Sequence, residues 1–276
     1  MPFESNTDSI AARKLARWER RLFNILFLAA YALVLAQLWR TIHLPGKSGW
    51  PEAVLLLLAT ASTLAALARH LPLQNVLSTA LFIGLAGGAA TRLDLKTGIP
   101  FGQLTPGGNA GPAFGQTLPW AVPLIWVVAI FNSRGTARLI LRPWRKTRAY
   151  GFWLIGLTTG LTVLFDLAFE PFASRVKHYW FWEPTKFPLD WQGVPLVNFL
   201  GWAVVTLLIL AFATPMLINK QPHKRLPPDF HPLRVWLGGI LLFAVATALN
   251  RLWAAAAVDA AIGIVTAVFA VRGARW

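Results

Sequence analysis

The chain contains no cysteine. Disulfides, iron–sulfur clusters and thiolate-ligated haem are excluded with it. Histidine is also scarce, and His43, His70, His178, His223 and His231 form no pair at i,i+3 or i,i+4. A membrane di-iron oxygenase needs a crowd of such ligands, so neither a metal nor a redox cofactor is expected. Charge is sparse as well. Only 13% of the 276 residues are charged, roughly half the share of a soluble domain. Acids are the rarest of all, 11 Asp and Glu against 26 Lys and Arg. No P-loop is present, because the one glycine-rich stretch lacks the following Lys-Ser/Thr.

What fills the chain instead is apolar residues, 56% of the total. Runs of about 20 recur, each long enough to cross a bilayer core. The pattern predicts an all-α, polytopic integral membrane helix bundle of about eight transmembrane helices. They fall near 21–40, 51–69, 72–91, 118–134, 149–169, 195–217, 234–250 and 252–271. The last two are separated only by Asn250-Arg251 and read equally as one broken helix. Residues 1–20 form a basic segment ahead of a single transmembrane domain, 21–276. The stretch SIAARKLARWERRLF (9–23) reads as an amphipathic helix on the inner leaflet, not as a cleaved signal.

A net charge of +15 in a soluble protein suggests nucleic acid. Here the placement of the charges argues otherwise. The N-terminus up to Arg21, the turn at 69–71, the loops 134–148 and 218–234 and the C-terminus hold 18 Lys and Arg; the other faces hold 8. This asymmetry predicts both termini in the cytoplasm and basic loops held against anionic lipid, with no nucleic-acid partner. The expected location is a bacterial cytoplasmic membrane.

The few acids are not scattered. FDLAFEPFASRVKHYWFWEPTKFPLDWQGVPLVNFLGW (165–202) carries Asp166, Glu170, Glu183 and Asp190 with Trp180, Trp182, Trp191 and Trp202. Glu183 and Asp190 read as ordinary loop acids. Asp166 lies inside an apolar run, where an ionisable group is costly. Asp166 and Glu170 are spaced i,i+4, which stacks two carboxyls on one helix face. Burial and like charge both raise a carboxyl pKa, so one of the pair is a candidate proton donor; pairing with Arg175 or Lys177 is the alternative. The tryptophans are candidates for a wall of π faces that stabilises a cation, or for an interfacial aromatic belt. Pro195 suits a first helical turn, which puts the amide of Asn198 just inside the membrane. There it would position a water or an acid, or bond a helix carbonyl. The loop LDLKTGIPFGQLTPGGNAGPAFG (93–115) has six glycines and three prolines, yet Ile99, Phe101, Leu104 and Phe114 are apolar for an aqueous loop. It reads as a surface loop or as a re-entrant lid. Asp259, in the last apolar run, joins the site or pairs with Arg251.

Several motifs carry a resemblance: TGIPFG (97–102), GP (111–112), VPLIW (122–126), DLAFEP (166–171) and WQGVPLVNFLGW (191–202). Over about 80–218 the chain resembles the carotenoid biosynthesis protein family that contains the acyclic carotenoid 1,2-hydratases. The resemblance implies cofactor-independent addition of water to the terminal 1,2 double bond of an acyclic carotenoid end, dissolved in the membrane. On that basis Asp166 is the expected proton donor and Glu170 its partner or the base for water. Asn198 positions water or acid, and Trp180, Trp182 and Trp191, with Trp202 and Phe101, form the substrate wall. The family carries a Glu just upstream of its TG-PFG element; here the positions read Thr91, Arg92 and Asp94, which makes Asp94 a second acid candidate. Other carotenoid enzymes are candidate partners. Alternatives are a proton-initiated carotenoid cyclase, another isoprenoid enzyme, or a non-catalytic carotenoid-binding subunit. A prenyltransferase needs two acid-rich motifs, and one is present.

Overall fold

The computed structural model describes residues 25–39, 50–114, 118–184, 189–218 and 228–276. The basic segment 1–20 lies outside them. The described residues form eight α-helices: α1 Ile25–Leu38, α2 Trp50–Leu67, α3 Leu73–Thr97, α4 Val122–Ile140, α5 Tyr150–Pro171, α6 Leu196–Ala213, α7 His231–Leu249 and α8 Trp253–Ala274. Five of these segments, beginning at Leu73, Tyr150, Leu196, His231 and Trp253, are long and apolar enough to cross a membrane.

At the centre stands α4, packed on α2, α3, α5, α7 and α8. Every residue from Trp126 to Arg134 is buried. A helix enclosed on all sides must satisfy its polar groups internally, and α4 does so. Asn132 Nδ2 donates to Thr63 Oγ1 at 3.1 Å and to the Val128 carbonyl at 2.8 Å. Ser133 Oγ accepts from Trp236 Nε1 at 3.2 Å, and the Arg134 guanidinium donates to the Leu217 carbonyl at 3.3 Å. α7 and α8 are two helices, not one broken helix. Asn250–Leu252 turn the chain, with Arg251 left-handed at φ 62°. The two then pack against each other, Gly263 of α8 facing Ile240 and Leu237.

The bundle has two distinct ends. At one, α8 closes on α4, where Gly273 leaves no room for a side chain against the Leu139 and Ile140 carbonyls. At the other, the ends of α3 and α5 and the starts of α2, α4 and α6 meet three short antiparallel ribbons. Strand β1 (Leu104–Pro106) pairs with β4 (Trp180–Trp182), β2 (Ala113–Phe114) with β3 (Leu118–Pro119), and β5 (Asp190–Trp191) with β6 (Val194–Pro195). α5 runs past Pro171 into a π-helical turn, Phe172–Val176, closed by Lys177 N–H on the Phe172 carbonyl at 2.9 Å. Such turns widen a helix locally and recur at functional sites. This one sends the chain back over the helix ends as β4.

The glycine loop after α3 lies mostly on the surface, with Ile99 and Phe114 exposed, and enters the bundle only at Phe101 and Gly102. Gly98, at φ 71°, stops the helix, and Phe101 turns back into the bundle and is buried. Room for it comes from α6: a Cβ at Gly201 would lie 2.6 Å from the Pro100 carbonyl oxygen and 2.6 Å from the Phe101 ring.

Candidate active site

Two acids and one amide of the sequence reading converge at the ribbon end. Asp166 and Glu170 sit on the last turns of α5, both buried. Asn198 comes from the first turn of α6, started by Pro195. Its Nδ2 donates to Asp166 Oδ2 at 2.7 Å. Asp166 Oδ1 has no hydrogen-bond partner among the described residues. Glu170 is held differently. Its Oε2 accepts from Trp180 Nε1 at 3.0 Å and from Trp182 Nε1 at 2.8 Å. Strand alternation places these two indoles on one face of β4, and Phe181 between them is exposed. Pairing of β4 with β1 fixes the register, so backbone pairing aims the two donors at one oxygen.

Asp94 is a loop anchor in this arrangement. Its Oδ1 accepts from the backbone N–H of Phe101 at 2.7 Å and of Gly102 at 3.1 Å. The carboxyl therefore folds TGIPFG back onto α3 and seats Phe101. Phe101 in turn packs beside Trp126 and Trp202, whose rings stack 3.6 Å apart at 14°. Gly87 makes the space for Trp126, since any side chain there would overlap the indole.

Two cavities adjoin at this place. The small one, about 40 Å³, is lined by Glu170, Asn198, Trp182, Trp202, Trp126 and Phe101, among others. That is room for about one water. The large one, about 480 Å³, runs between α1, α2, α4, α5 and α7 and is almost wholly apolar. Pro119, Val122, Ile125, Phe169, Tyr179 and Trp180 belong to both linings and form the shared wall. Apolar volume beside a few fixed polar groups is the usual form of a small-molecule site.

The candidates divide under this geometry. Glu170, Asn198, Trp180, Trp182, Trp202 and Phe101 line a cavity; Asp166 and Asp94 stand directly behind the lining. Trp191 does not belong to the wall. Its Nε1 donates to the Leu167 carbonyl at 3.2 Å, which ties the β5–β6 turn to α5. Neither Arg175 nor Lys177 pairs with Asp166 or Glu170: Arg175 Nε donates to the Gln192 carbonyl at 2.9 Å, and Lys177 pairs with Glu52. Asp259 is buried between α7 and α8 beside Thr247, without a partner for either oxygen among the described residues and outside both cavity linings. Trp126 and Phe169 lie inside the motifs VPLIW and DLAFEP but are not among the site residues singled out from the sequence. Each lies in a helical apolar run, where an aromatic gives no signal of its own.

Fold and site together define a polytopic helical membrane protein with a buried carboxyl–amide–indole centre beside an apolar chamber. Comparison with known proteins then places it: the profile of the family described as "Carotenoid biosynthesis protein" matches residues 51–268. The chain belongs to that family, and the match extends beyond the 80–218 region of the motifs on both sides. It is also 30% identical over 109 residues to a bisanhydrobacterioruberin hydratase of Haloarcula japonica, a stretch covering 39% of this chain and 34% of that protein. The chain thus matches about a third of the length of this curated relative. No solved structure matches.

Proposed function

We propose that the protein hydrates the terminal 1,2 double bond of an acyclic carotenoid end by acid catalysis. One observation carries the reading: Glu170, locked by two indole donors, faces a space for about one water at the edge of a large apolar chamber. The polyene lies in the chamber and its end group reaches the shared wall. Glu170 Oε2 is engaged by Trp180 and Trp182, which leaves Oε1 to deliver the proton. A C–H bond forms at C2 of the alkene and the positive charge appears at C1. The indole faces around it stabilise a cation without offering a nucleophile. Water in the small cavity adds to C1, the C–O bond forms, and the surplus proton of the oxonium returns to Glu170. Atoms balance as alkene plus water, with no electron transfer.

On this reading the donor is Glu170, and Asp166 is a positioning residue held by Asn198. The family membership and the relative named as a hydratase support the same chemistry. The ribbon end faces outward and the basic end, with both termini, faces a bacterial cytoplasm and its anionic lipid, by the distribution of Lys and Arg. Other carotenoid enzymes supply the acyclic substrate and consume the alcohol.

The test is expression in cells that make an acyclic carotenoid, followed by incubation of their membranes in H₂¹⁸O. A new tertiary alcohol carrying ¹⁸O is expected. A new pigment of unchanged mass would mean cyclisation, and no new pigment would mean a binding subunit; label arriving from ¹⁸O₂ would exclude hydration.

A further inference from the structure

The chamber is built for hydrocarbon, yet one ion pair is set in its wall. Glu52, in the first turn of α2, lines the large cavity and pairs with Lys177, which follows the π-helical turn. Their side chains are only 11% and 14% exposed. Taking two charges out of water is costly, and a pure hydrocarbon returns nothing to them. The pair is also incompletely used. Neither Glu52 oxygen accepts a hydrogen bond from a described residue beyond its contact with the ammonium. Beside it stands Tyr179, a member of both cavity linings. Burial first, and the Glu52 charge second, hold its phenol above the usual value, so it remains a donor. The placement is not accidental to the loop. Asn109 Nδ2 donates to the Lys177 carbonyl at 3.1 Å, and Gly107 N–H donates to the Tyr179 carbonyl at 2.7 Å. No side chain at Gly107 would fit against the His178 carbonyl. The 107–111 loop therefore fixes Tyr179 over the chamber and Lys177 beside Glu52.

An acceptor with open lone pairs beside two donors is complementary to a hydroxyl group, which donates once and accepts twice. We propose that Glu52, Lys177 and Tyr179 form a second polar station that binds the tertiary alcohol of the hydrated chain end as it withdraws from Glu170 along the chamber. The station gives the chamber a preference for product over hydrocarbon. It also draws the new hydroxyl away from the acid that would otherwise reverse the reaction. This inference rests on the proposed hydration, which supplies the alcohol.

The experiment measures binding of two probes to membranes holding the full chain: an acyclic carotenoid with terminal double bonds, and the same chain carrying a 1-hydroxy end. Binding is read from the shift of the polyene absorption, and competition by each probe gives its affinity. Glu52→Gln keeps size and removes the charge; Tyr179→Phe removes only the hydroxyl. Both should lower the preference for the hydroxylated chain by about tenfold or more, the worth of a hydrogen bond to a charged group, and Glu52→Gln more than Tyr179→Phe. An unchanged preference in both variants overturns the station, as does parallel loss of both probes, which would make the pair a fold anchor. So does a wild type that binds the two probes equally, since the site would then hold only water. Failure of hydration itself is read separately, from the absence of alcohol formation by the wild type.

Discussion

Asp166 and Asp259 look alike as residues: each is an aspartate fully buried in a long apolar helix. Their surroundings differ in every other respect. Asp166 accepts a hydrogen bond from the Asn198 amide, stands one turn from Glu170, and backs onto a cavity lined by fixed indoles. Asp259 faces Thr247, whose hydroxyl donates to the Phe243 carbonyl at 2.8 Å, and it lies outside the linings of both cavities. An intramembrane acid is a functional candidate by default. The contrast shows what that default lacks. A site needs donors aimed at the acid, a partner group to share its proton, and space for a reactant. The α5–α6 end has all three; among the described residues the α7–α8 hairpin offers Asp259 only the Thr247 hydroxyl.

The largest effect should come from Glu170. Glu170→Gln keeps the contact with both indoles and removes the acid, so hydration should fall by about 10²–10⁴-fold, measured as initial rate in membranes with matched accumulation. Loss of accumulation together with loss of rate would mark Glu170 as structural. Next is Gly201→Leu, which drives a side chain into Pro100 and Phe101. It should unseat Phe101 and lower thermal stability by about 1–3 kcal/mol, with activity lost alongside. Trp191→Phe should cost only about 1 kcal/mol, one hydrogen bond, with turnover near that of the wild type. A strong rate effect there would return Trp191 to the cation wall. Smallest of all, Asp259→Asn should leave hydration within about twofold, because surroundings without a reactant give the acid no part in the rate.

Helix number was legible in the sequence, since hydropathy marks apolar runs well. Helix ends were less so. α3 continues to Thr97 because Thr91, Arg92 and Asp94 are helical, with the Asp94 carbonyl accepting from Gly98 N–H at 2.6 Å. The Asp166–Glu170 pair followed from i,i+4 spacing, and Asn198 from its place after Pro195. Of the apolar residues in the glycine loop only Phe101 is buried; Ile99 and Phe114 are exposed, so composition alone did not tell which of them is seated in the bundle. What stayed hidden depends on pairing between distant segments. β1 meets β4 across more than 70 residues, and that pairing alone puts Trp180 and Trp182 on Glu170. It also separates them from Trp191, which has the same composition and neighbourhood but anchors a turn. Asp94 read as a spare acid because nothing local shows that its oxygen meets the backbone of residues 101 and 102.

The central claim is that convergence, not burial, makes an acid functional here. It is tested most directly by initial hydration rates of Asp166→Asn and Asp259→Asn, compared side by side in the same membranes at equal accumulation. Asp166→Asn should be slower than Asp259→Asn by at least about tenfold, the scale of one hydrogen bond to a charged group. Equal rates in the two variants, or a slower Asp259→Asn, would contradict it.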